Sequence, residues 1–394
     1  MKKCILCFVL FVGIFSSLKG QELILTDSSQ LSLLTCSPGP AVYEKFGHSA
    51  IRILDPSQGI DWVANWGIFD FDDPGFYVKF VKGDTWYSLA VYETHHFIEG
   101  YKRRNVRITE QVLNLTQEEK DELFQAILIN NQPENRKYLY NYVFDNCATR
   151  ARDIINAAVK PKIVVDKLYV EKKTFREWVA GYTGKRSWVQ FGIDLIFGKD
   201  ADEIADAEEA MFLPEVVCGA YESASVVQND SISAPLVAKT HILLEKSKPD
   251  PAPSSLNIPL IATLLLLTIG LIITLLEHIN KKYLRWFDFM LFLITGIGGI
   301  IIFYLMFFSI HPLVKNNFNL LWCNPLNLII AVLVVIKSAK NIVKWYASLY
   351  AVLILVAFFA MALGVQVLNV AFLPLLALML FRAVSWIVLY RAKK

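Results

Sequence analysis

The pattern of hydrophobic and polar positions divides the chain into two unlike halves. Up to about residue 250, apolar and polar residues are mixed, as in a globular protein, whereas from Leu256 onward the chain is almost continuously apolar. Five apolar segments in the second half are each near the length that crosses a bilayer, and the third is marginal. They cover residues 256–276, 287–309, 320–336, 345–365 and 370–390. The pattern predicts a globular domain followed by five transmembrane helices.

The N-terminus has the layout of a secretory signal peptide, with Met1–Lys3 positively charged and residues 4–18 apolar. Such a segment is removed after export, here after Gly20. Leu18 is a poor residue at the third position before that cut, so an uncleaved anchor is the alternative. We expect a signal peptide over 1–20, a globular domain over 21–222, a linker over 223–255 and a membrane domain over 256–394.

Charge in the loops predicts the orientation. Lysine and arginine lie between the first and second spans, between the third and fourth spans, and at the C-terminus, whereas the alternate loops contain only Lys315. Basic loops stay in the cytoplasm, so the globular domain is expected outside and the C-terminus inside. Arg382 lies within the fifth span and must either snorkel or find a partner; we favour snorkelling.

A cysteine lies at the predicted start of a helix. Asp145 and Asn146 are strong N-cap residues, and small or apolar residues recur at helical spacing after Cys147. The helix N-terminus stabilises a thiolate, and Arg150 and Arg152 add positive charge. Cys147 is therefore a candidate nucleophile, although a small buried hydrophobic residue is the alternative.

A histidine in a predicted strand could serve as its base. A catalytic cysteine needs an imidazole near it in space, and His48 has the best strand context of the six histidines. The turn signal at residues 55–59 predicts that residues 61–69 return antiparallel, which brings Asn65 beside His48. Asn65 is the candidate third member; Tyr43 or another group could complete the site instead, and Asn65 could simply end a strand.

The remaining residues exclude several classes of site. The globular half contains three cysteines, so at least one thiol stays unpaired, and a Cys36–Cys218 disulfide would leave Cys147 free. No Cys-x-x-Cys has zinc spacing, and adjacent His95 and His96 would point to opposite faces of a strand, so we predict no metal site and no soluble cofactor. The net charge of +3 and the dispersed basic residues do not indicate binding to nucleic acid.

Several motifs resemble the Lnb family of bacterial membrane proteins, and the likeness extends over nearly the whole chain. They are Phe-Gly-His-Ser-Ala-Ile-Arg at 46–52, Asn-Trp-Gly-Ile-Phe-Asp-Phe at 65–71, Leu-Asn-Leu-Thr at 113–116, Asp-Asn-Cys-Ala-Thr-Arg at 145–150, His-Pro at 311–312 and Asn-Leu-Leu-Trp-Cys-Asn-Pro at 319–325. The order of strand histidine and helix cysteine also resembles circularly permuted papain-like enzymes of the lecithin:retinol acyltransferase type. The resemblance implies an α+β fold, with a permuted papain-like periplasmic domain before an all-α domain of five transmembrane helices.

The resemblance also implies a function, that of a lipoprotein N-acyltransferase of the bacterial inner membrane. Its acyl donor would be a phospholipid, and its acceptor the α-amine of a diacylglyceryl-cysteine at a lipoprotein N-terminus. Cys147 would carry the acyl chain as a thioester, with His48 as base. The expected catalytic residues are Cys147, His48 and Asn65, and the expected substrate-binding residues are Tyr43, Arg150, His311 and Asn319.

Two other functions fit parts of the sequence. A membrane-anchored papain-like amidase or peptidase of the cell wall would use the same cysteine and histidine, but it needs only one anchor. An acyltransferase must keep water from its thioester, and a membrane domain can supply a dry route for the lipid. A non-catalytic sensor would leave the capped cysteine and the histidine unexplained. We therefore favour acyl transfer.

Overall fold

The structure is a computed structural model. It describes residues 23–69, 74–159, 162–165, 171–228, 231–250 and 255–389. The predicted signal peptide lies outside the described residues.

The globular half is built on a seven-stranded antiparallel sheet. A second, smaller sheet has three strands. In chain order, the strands of both sheets are β1 Gln30–Cys36, β2 His48–Asp55, β3 Ile60–Ile68, β4 Trp86–Glu93, β5 Ile108–Leu113, β6 Lys137–Leu139, β7 Lys162–Val164, β8 Ser225–Gln228, β9 Ser231–Pro235 and β10 Val237–Leu244. The large sheet has the order β10-β5-β1-β2-β3-β4-β6, and the small one has the order β7-β8-β9. The tight turn between β2 and β3 sets their antiparallel register, as its sequence predicts.

Helices cover this sheet, which confirms the predicted α+β class. Those of the globular half are α1 Phe76–Lys82, α2 Thr94–Arg103, α3 Gln117–Asn130, α4 Cys147–Ala158, α5 Phe175–Thr183, α6 Trp188–Ile196 and α7 Pro214–Glu222. The apolar face of α4 contains Ala148, Ala151 and Ile155, which belong to the same buried cluster as Ile51 of β2 and Ala64 of β3. Small side chains let α4 lie close to the sheet, so its first residue, Cys147, is held near the start of β2.

The predicted linker over 223–255 is wrong for much of its length. Residues 225–228 and 231–244 form β8, β9 and β10, and β10 pairs with β5 at one end of the large sheet. An edge strand with a mostly solvent-exposed surface does not need the hydrophobic alternation of a central strand. Ala238, Lys239 and Thr240 are indeed exposed, which explains why the sequence shows no hydrophobic alternation there.

The second half is a helical membrane domain. Its helices are α8 Ile258–Asn280, α9 Arg285–Phe307, α10 Leu326–Val335, α11 Lys340–Ala362 and α12 Phe372–Leu389. Among the described residues, four helical segments are long and apolar enough to cross a membrane, namely 258–280, 285–307, 318–335 and 337–362. The apolar stretch of α12 is shorter, so the count of five spans stays a prediction.

Arg382 of α12 finds partners inside the helix bundle, so the snorkelling interpretation is wrong. Its guanidinium lies 2.6 Å from a carboxylate oxygen of Glu277 on α8 and 2.6 Å from one of Asp288 on α9. The Arg382 side chain is 1% exposed. Sequence spacing could not reveal these partners because they come from two other helices. The cluster joins three helices and satisfies a charge that would be costly in lipid.

Hydrogen bonds dock the globular domain on the membrane domain. The side-chain amide of Asn319 donates to the backbone carbonyls of Asp194 (3.0 Å) and Leu195 (3.1 Å) on α6. Gln366 donates to the carbonyl of Phe197, just beyond α6, at 3.1 Å. Because both amides are buried, these contacts hold the globular domain in a defined position above the helices.

We expect Asn319→Ala to loosen this docking. Asn319 is fully buried, and its side-chain oxygen also accepts the indole N–H of Trp322 at 3.0 Å. Each buried group left without a partner costs about 1–3 kcal/mol. The detergent-purified variant should therefore melt several degrees below the wild type. Asn280→Ala, which removes an exposed amide bonded within α8, is the control. Equal melting of the two variants would contradict the docking role.

Candidate active site

Cys147 is the first residue of α4, as its capping sequence predicts. The side-chain oxygen of Asn146 accepts hydrogen bonds from the backbone N–H groups of Ala148 (2.8 Å) and Thr149 (3.0 Å). The Asn146 side-chain amide donates to the carbonyl of Phe212 at 2.9 Å, which anchors the cap in the domain. The helix start is therefore fixed, and Cys147 itself is half-buried.

His48 begins β2, and a glycine makes this start possible. Gly47 has a φ of +75°, and an added Cβ would lie 2.5 Å from the carbonyl oxygen of Cys36. Only a glycine fits there without moving backbone. The strand can then begin at His48, opposite Cys36 of β1, with the imidazole turned toward Cys147.

Cys147 and His48 are hydrogen-bonded, and each changes the pKa of the other. Burial raises the pKa of the Cys147 thiol, but the charge and hydrogen bond of His48 and the N–H groups of Ser49 and Ala148 outweigh it, so the pKa is lowered from 9.0. Burial lowers the pKa of His48, but the interactions with Cys147 and Asn65 outweigh it, so the pKa is raised from 6.5. The pair therefore favours thiolate and imidazolium, the reactive form of a cysteine nucleophile.

Asn65 lies beside the imidazole, where the predicted hairpin register puts it. Its side-chain oxygen is 2.5 Å from Nε2 of His48, and its amide nitrogen donates to the hydroxyl of Tyr92 at 2.8 Å. Since Nε2 is held by Asn65, Nδ1 is the nitrogen left for the thiol. The expected proximity is confirmed, and the catalytic role of Asn65 stays a prediction.

The two arginines of α4 are held by carboxylates. Arg150 forms a two-point ion pair with Asp145, with distances of 2.5 and 2.7 Å. Arg152 is buried and its Nε lies 2.7 Å from Asp153. The cation that lowers the pKa of the thiol is therefore His48, rather than the arginines on which sequence reasoning relied.

The four expected substrate-binding residues lie in different places. Asn319 is fully buried in the docking contact described above, and Nε2 of His311 lies 2.5 Å from the carbonyl oxygen of Phe80 on α1. Burial lowers the pKa of His311. Both residues take part in the contact between the two domains, and their role in substrate binding stays a prediction. Tyr43 is 63% exposed and Arg150 is half-buried near Cys147, so their role in substrate binding stays a prediction.

Sequence reasoning missed two residues that line the site. Gly67 has a φ of +94° and lies where the pairing of β3 with β4 is irregular. A Cβ added to Gly67 would lie 3.7 Å from Cε1 of His48, 4.0 Å from Cβ of Cys147 and 4.0 Å from the hydroxyl of Tyr138. A glycine inside a predicted strand is a signal for such a close approach. Tyr138 has no comparable signal, because only the pairing of β6 with β4 brings it here.

The other cysteines of the globular domain do not form a disulfide. Cys36 and Cys218 are both free thiols, so the suggested pairing is wrong. Cys36 is fully buried and interacts with Tyr101, while Cys218 interacts with Thr35. Burial raises the pKa of both thiols. This rise distinguishes them from Cys147, whose pKa is lowered.

His95 and His96 lie on a helix, so the strand geometry expected for them is wrong. They lie in the first turn of α2 instead of continuing a strand, and the centres of their rings are 3.8 Å apart. Their ligand atoms and those of Glu93 lie within 4.8 Å of one another. All three side chains are exposed, and Glu93 already pairs with His95 at 3.2 Å. The absence of a metal site stays a prediction.

Comparison with known families matches both halves of the chain. Residues 21–181 match the Lnb N-terminal periplasmic domain. Residues 252–394 match the Lnb transmembrane domain. Searches of curated proteins and of solved structures found no match. The matches support the family resemblance and indicate a membrane protein with a periplasmic N-terminal domain.

We expect alkylation by iodoacetamide to report the lowered pKa of Cys147. The rate should rise with pH through a midpoint below 9.0, because a lowered pKa gives thiolate at lower pH. In His48→Ala, Cys147 stays buried but loses the neighbouring imidazolium, so the midpoint of the alkylation rate should move to higher pH. Peptide mass spectrometry would measure Cys147 and Cys218 separately, with exposed His96→Ala as the control. An unchanged midpoint in His48→Ala would contradict the thiolate–imidazolium pair.

Proposed function

The chain carries an Lnb N-terminal periplasmic domain followed by an Lnb transmembrane domain, and on that premise we propose that it is a lipoprotein N-acyltransferase. The observation that carries the proposal is the hydrogen-bonded Cys147 and His48, with Asn65 on the imidazole, in a domain docked on membrane helices. This geometry suits covalent catalysis by a thiol.

In the first step, the thiolate of Cys147 attacks the ester carbonyl carbon of a phospholipid. A carbon–sulfur bond forms, and the ester carbon–oxygen bond breaks. The leaving alkoxide takes a proton from the His48 imidazolium, which releases a lysophospholipid and leaves a thioester on Cys147. Asn65 keeps the imidazole oriented throughout this transfer.

In the second step, the free α-amine of a diacylglyceryl-cysteine attacks the thioester. Neutral His48 accepts a proton from the amine as the carbon–nitrogen bond forms, and the carbon–sulfur bond then breaks. The products are an N-acylated lipoprotein and the regenerated thiolate–imidazolium pair. No redox or energy-supplying partner is needed, because an ester is exchanged for a more stable amide.

The surface beside the site supports a lipid donor. Helix α1 exposes a row of apolar side chains, namely Tyr77, Val78, Phe80 and Val81. Just after α9, the backbone N–H of Ile310 donates to the carbonyl of Lys82 on α1 at 2.9 Å, so α1 rests against the outer end of a membrane helix. An apolar helix in this position is suited to the lipid interface.

A small cavity lies in the same seam between the domains. Its volume is about 200 Å³, and it is lined by residues of both halves, namely Gly83, Leu139, Tyr140, Asn141, Phe144, Asp145, Ile310 and His311. The segment from Leu139 to Asp145 leads directly into the Cys147 helix. We propose that a donor lipid approaches Cys147 along this seam, from the outer leaflet of the inner membrane.

The orientation and fold belong to the same proposal. The globular domain would face the periplasm and the C-terminus the cytoplasm, as the basic loops predict. The fold would be a permuted papain-like one, in which the histidine strand precedes the cysteine helix. The alternative, a cell-wall amidase, would use the same site, but close docking on several membrane helices gives it no advantage over a simple anchor.

The proposal predicts acyl transfer in a purified system. Protein in detergent would be incubated with phospholipid and a synthetic diacylated lipopeptide, and the intact mass of the peptide would be measured. We expect the peptide amine to gain one acyl chain while a lysophospholipid forms. Cys147→Ala and His48→Ala should reduce the rate at least about a hundredfold, since they remove the nucleophile and its base.

Cys218→Ala is the matched control, because it removes a free thiol whose pKa is raised by burial. It should transfer acyl chains at the wild-type rate. A peptide mass gain that survives the loss of Cys147 would contradict the mechanism. If the peptide gains no mass but cell-wall fragments are cleaved, the amidase alternative is correct.

A further inference from the structure

We propose that the hydroxyl of Tyr138 is an oxyanion donor for Cys147, and hence a further catalytic residue. The inference rests on the covalent chemistry of the proposed function. Tyr138 lies on β6 and is 4% exposed. Within the described parts of the chain, its buried hydroxyl has no hydrogen-bond partner. A buried polar group without a partner is unfavourable to folding, and a role in catalysis is one of the explanations for it.

The hydroxyl lies close to the same glycine as the catalytic pair. A Cβ added to Gly67 would lie 4.0 Å from the Tyr138 hydroxyl. The same point is 4.0 Å from Cβ of Cys147 and 3.7 Å from Cε1 of His48. The side chains of Cys147, His48 and Tyr138 therefore converge beside Gly67, and acyl transfer requires such a grouping of nucleophile, base and donor.

Neighbouring groups hold the ring and keep its proton on the oxygen. The guanidinium of Arg150 lies 4.3 Å from the centre of the Tyr138 ring, and Asp145 fixes that guanidinium by its two-point ion pair. Tyr138 is also paired with Tyr87 across the sheet. Burial, followed by the nearby charge of Cys147, raises the pKa of Tyr138 well above its usual value. The phenol therefore stays protonated and can donate at every working pH.

The donor acts on the charge that each acyl transfer step creates. When Sγ of Cys147 attacks the acyl carbon, the carbon–sulfur bond forms and the carbonyl π electrons move to the oxygen. The Tyr138 O–H donates a hydrogen bond to this oxyanion without transferring its proton. The electron pair then returns to the carbon as the ester bond breaks, with the leaving alkoxide protonated by His48. The same hydrogen bond stabilises the second intermediate, in which the amine has attacked.

The test is Tyr138→Phe, which removes only the hydroxyl. The substrate is p-nitrophenyl butyrate, a small ester that acylates a reactive thiol without requiring phospholipid recognition. Released p-nitrophenol measures the acylation rate, which should fall about 10²–10³-fold, as expected for the loss of one oxyanion donor. Alkylation of Cys147 by iodoacetamide forms no oxyanion, so its rate and pH profile should stay at wild-type values. Since the hydroxyl has no partner to lose, the melting temperature should be unchanged or higher.

Tyr221→Phe is the matched control. Its hydroxyl donates within the core, at 2.7 Å from the side-chain oxygen of Asn156 and 3.2 Å from the carbonyl of Arg152. Its loss should lower the melting temperature and leave the acylation rate unchanged, the opposite of the effects expected for Tyr138→Phe.

Three results would overturn the inference: acylation of Tyr138→Phe at the wild-type rate, an equal loss of alkylation and acylation, or a clear fall in its melting temperature. An equal loss of alkylation and acylation would mean that Tyr138 positions the thiolate. A fall in the melting temperature would mean that its hydroxyl has a hydrogen-bond partner in the folded protein. If wild-type protein reacts with the ester but not with phospholipid, the proposed lipid substrate fails while the role of Tyr138 is still decided. If wild-type Cys147 reacts with neither, both proposals fail.

Discussion

The hydrogen bond between Cys147 and His48 joins the two elements on which the rest of the site depends. One partner begins helix α4 and the other begins strand β2, so the bond forms only when α4 packs on the sheet. Burial disfavours the charged form of each group, and the neighbouring partner reverses that effect. The reactive state of the thiol is therefore a property of the folded domain, rather than of the cysteine alone.

Docking on the membrane helices adds a second constraint. The contacts of Asn319 and His311 use two separate parts of the globular domain, α6 and α1, so the domain has little freedom to rotate. The segment that leads into Cys147 lines the seam between the two halves. A soluble hydrolase has no need for such a fixed placement. The proposed lipid substrate gives a reason for it, because a lipid is confined to the membrane.

Local patterns in the sequence predicted the helix start at Cys147 and the hairpin that puts Asn65 beside His48, because short-range rules set caps and tight turns. Features that depend on pairing between distant segments were not predictable. The edge strand β10 is exposed and lacks alternation, Arg382 finds carboxylates on two other helices, and Tyr138 reaches the site only through the pairing of β6 with β4. The suggested Cys36–Cys218 disulfide is wrong because it rested only on the number of cysteines, which says nothing about the distance between the two thiols.

The most direct test of the central claim is the mass of the Cys147 peptide after the protein has been incubated with phospholipid in the absence of any acceptor. Our account predicts that this peptide carries one acyl chain, and that neutral hydroxylamine removes the chain because it is a thioester. An unmodified Cys147 peptide would contradict the account. So would an acyl chain that hydroxylamine cannot remove, or one attached to another residue.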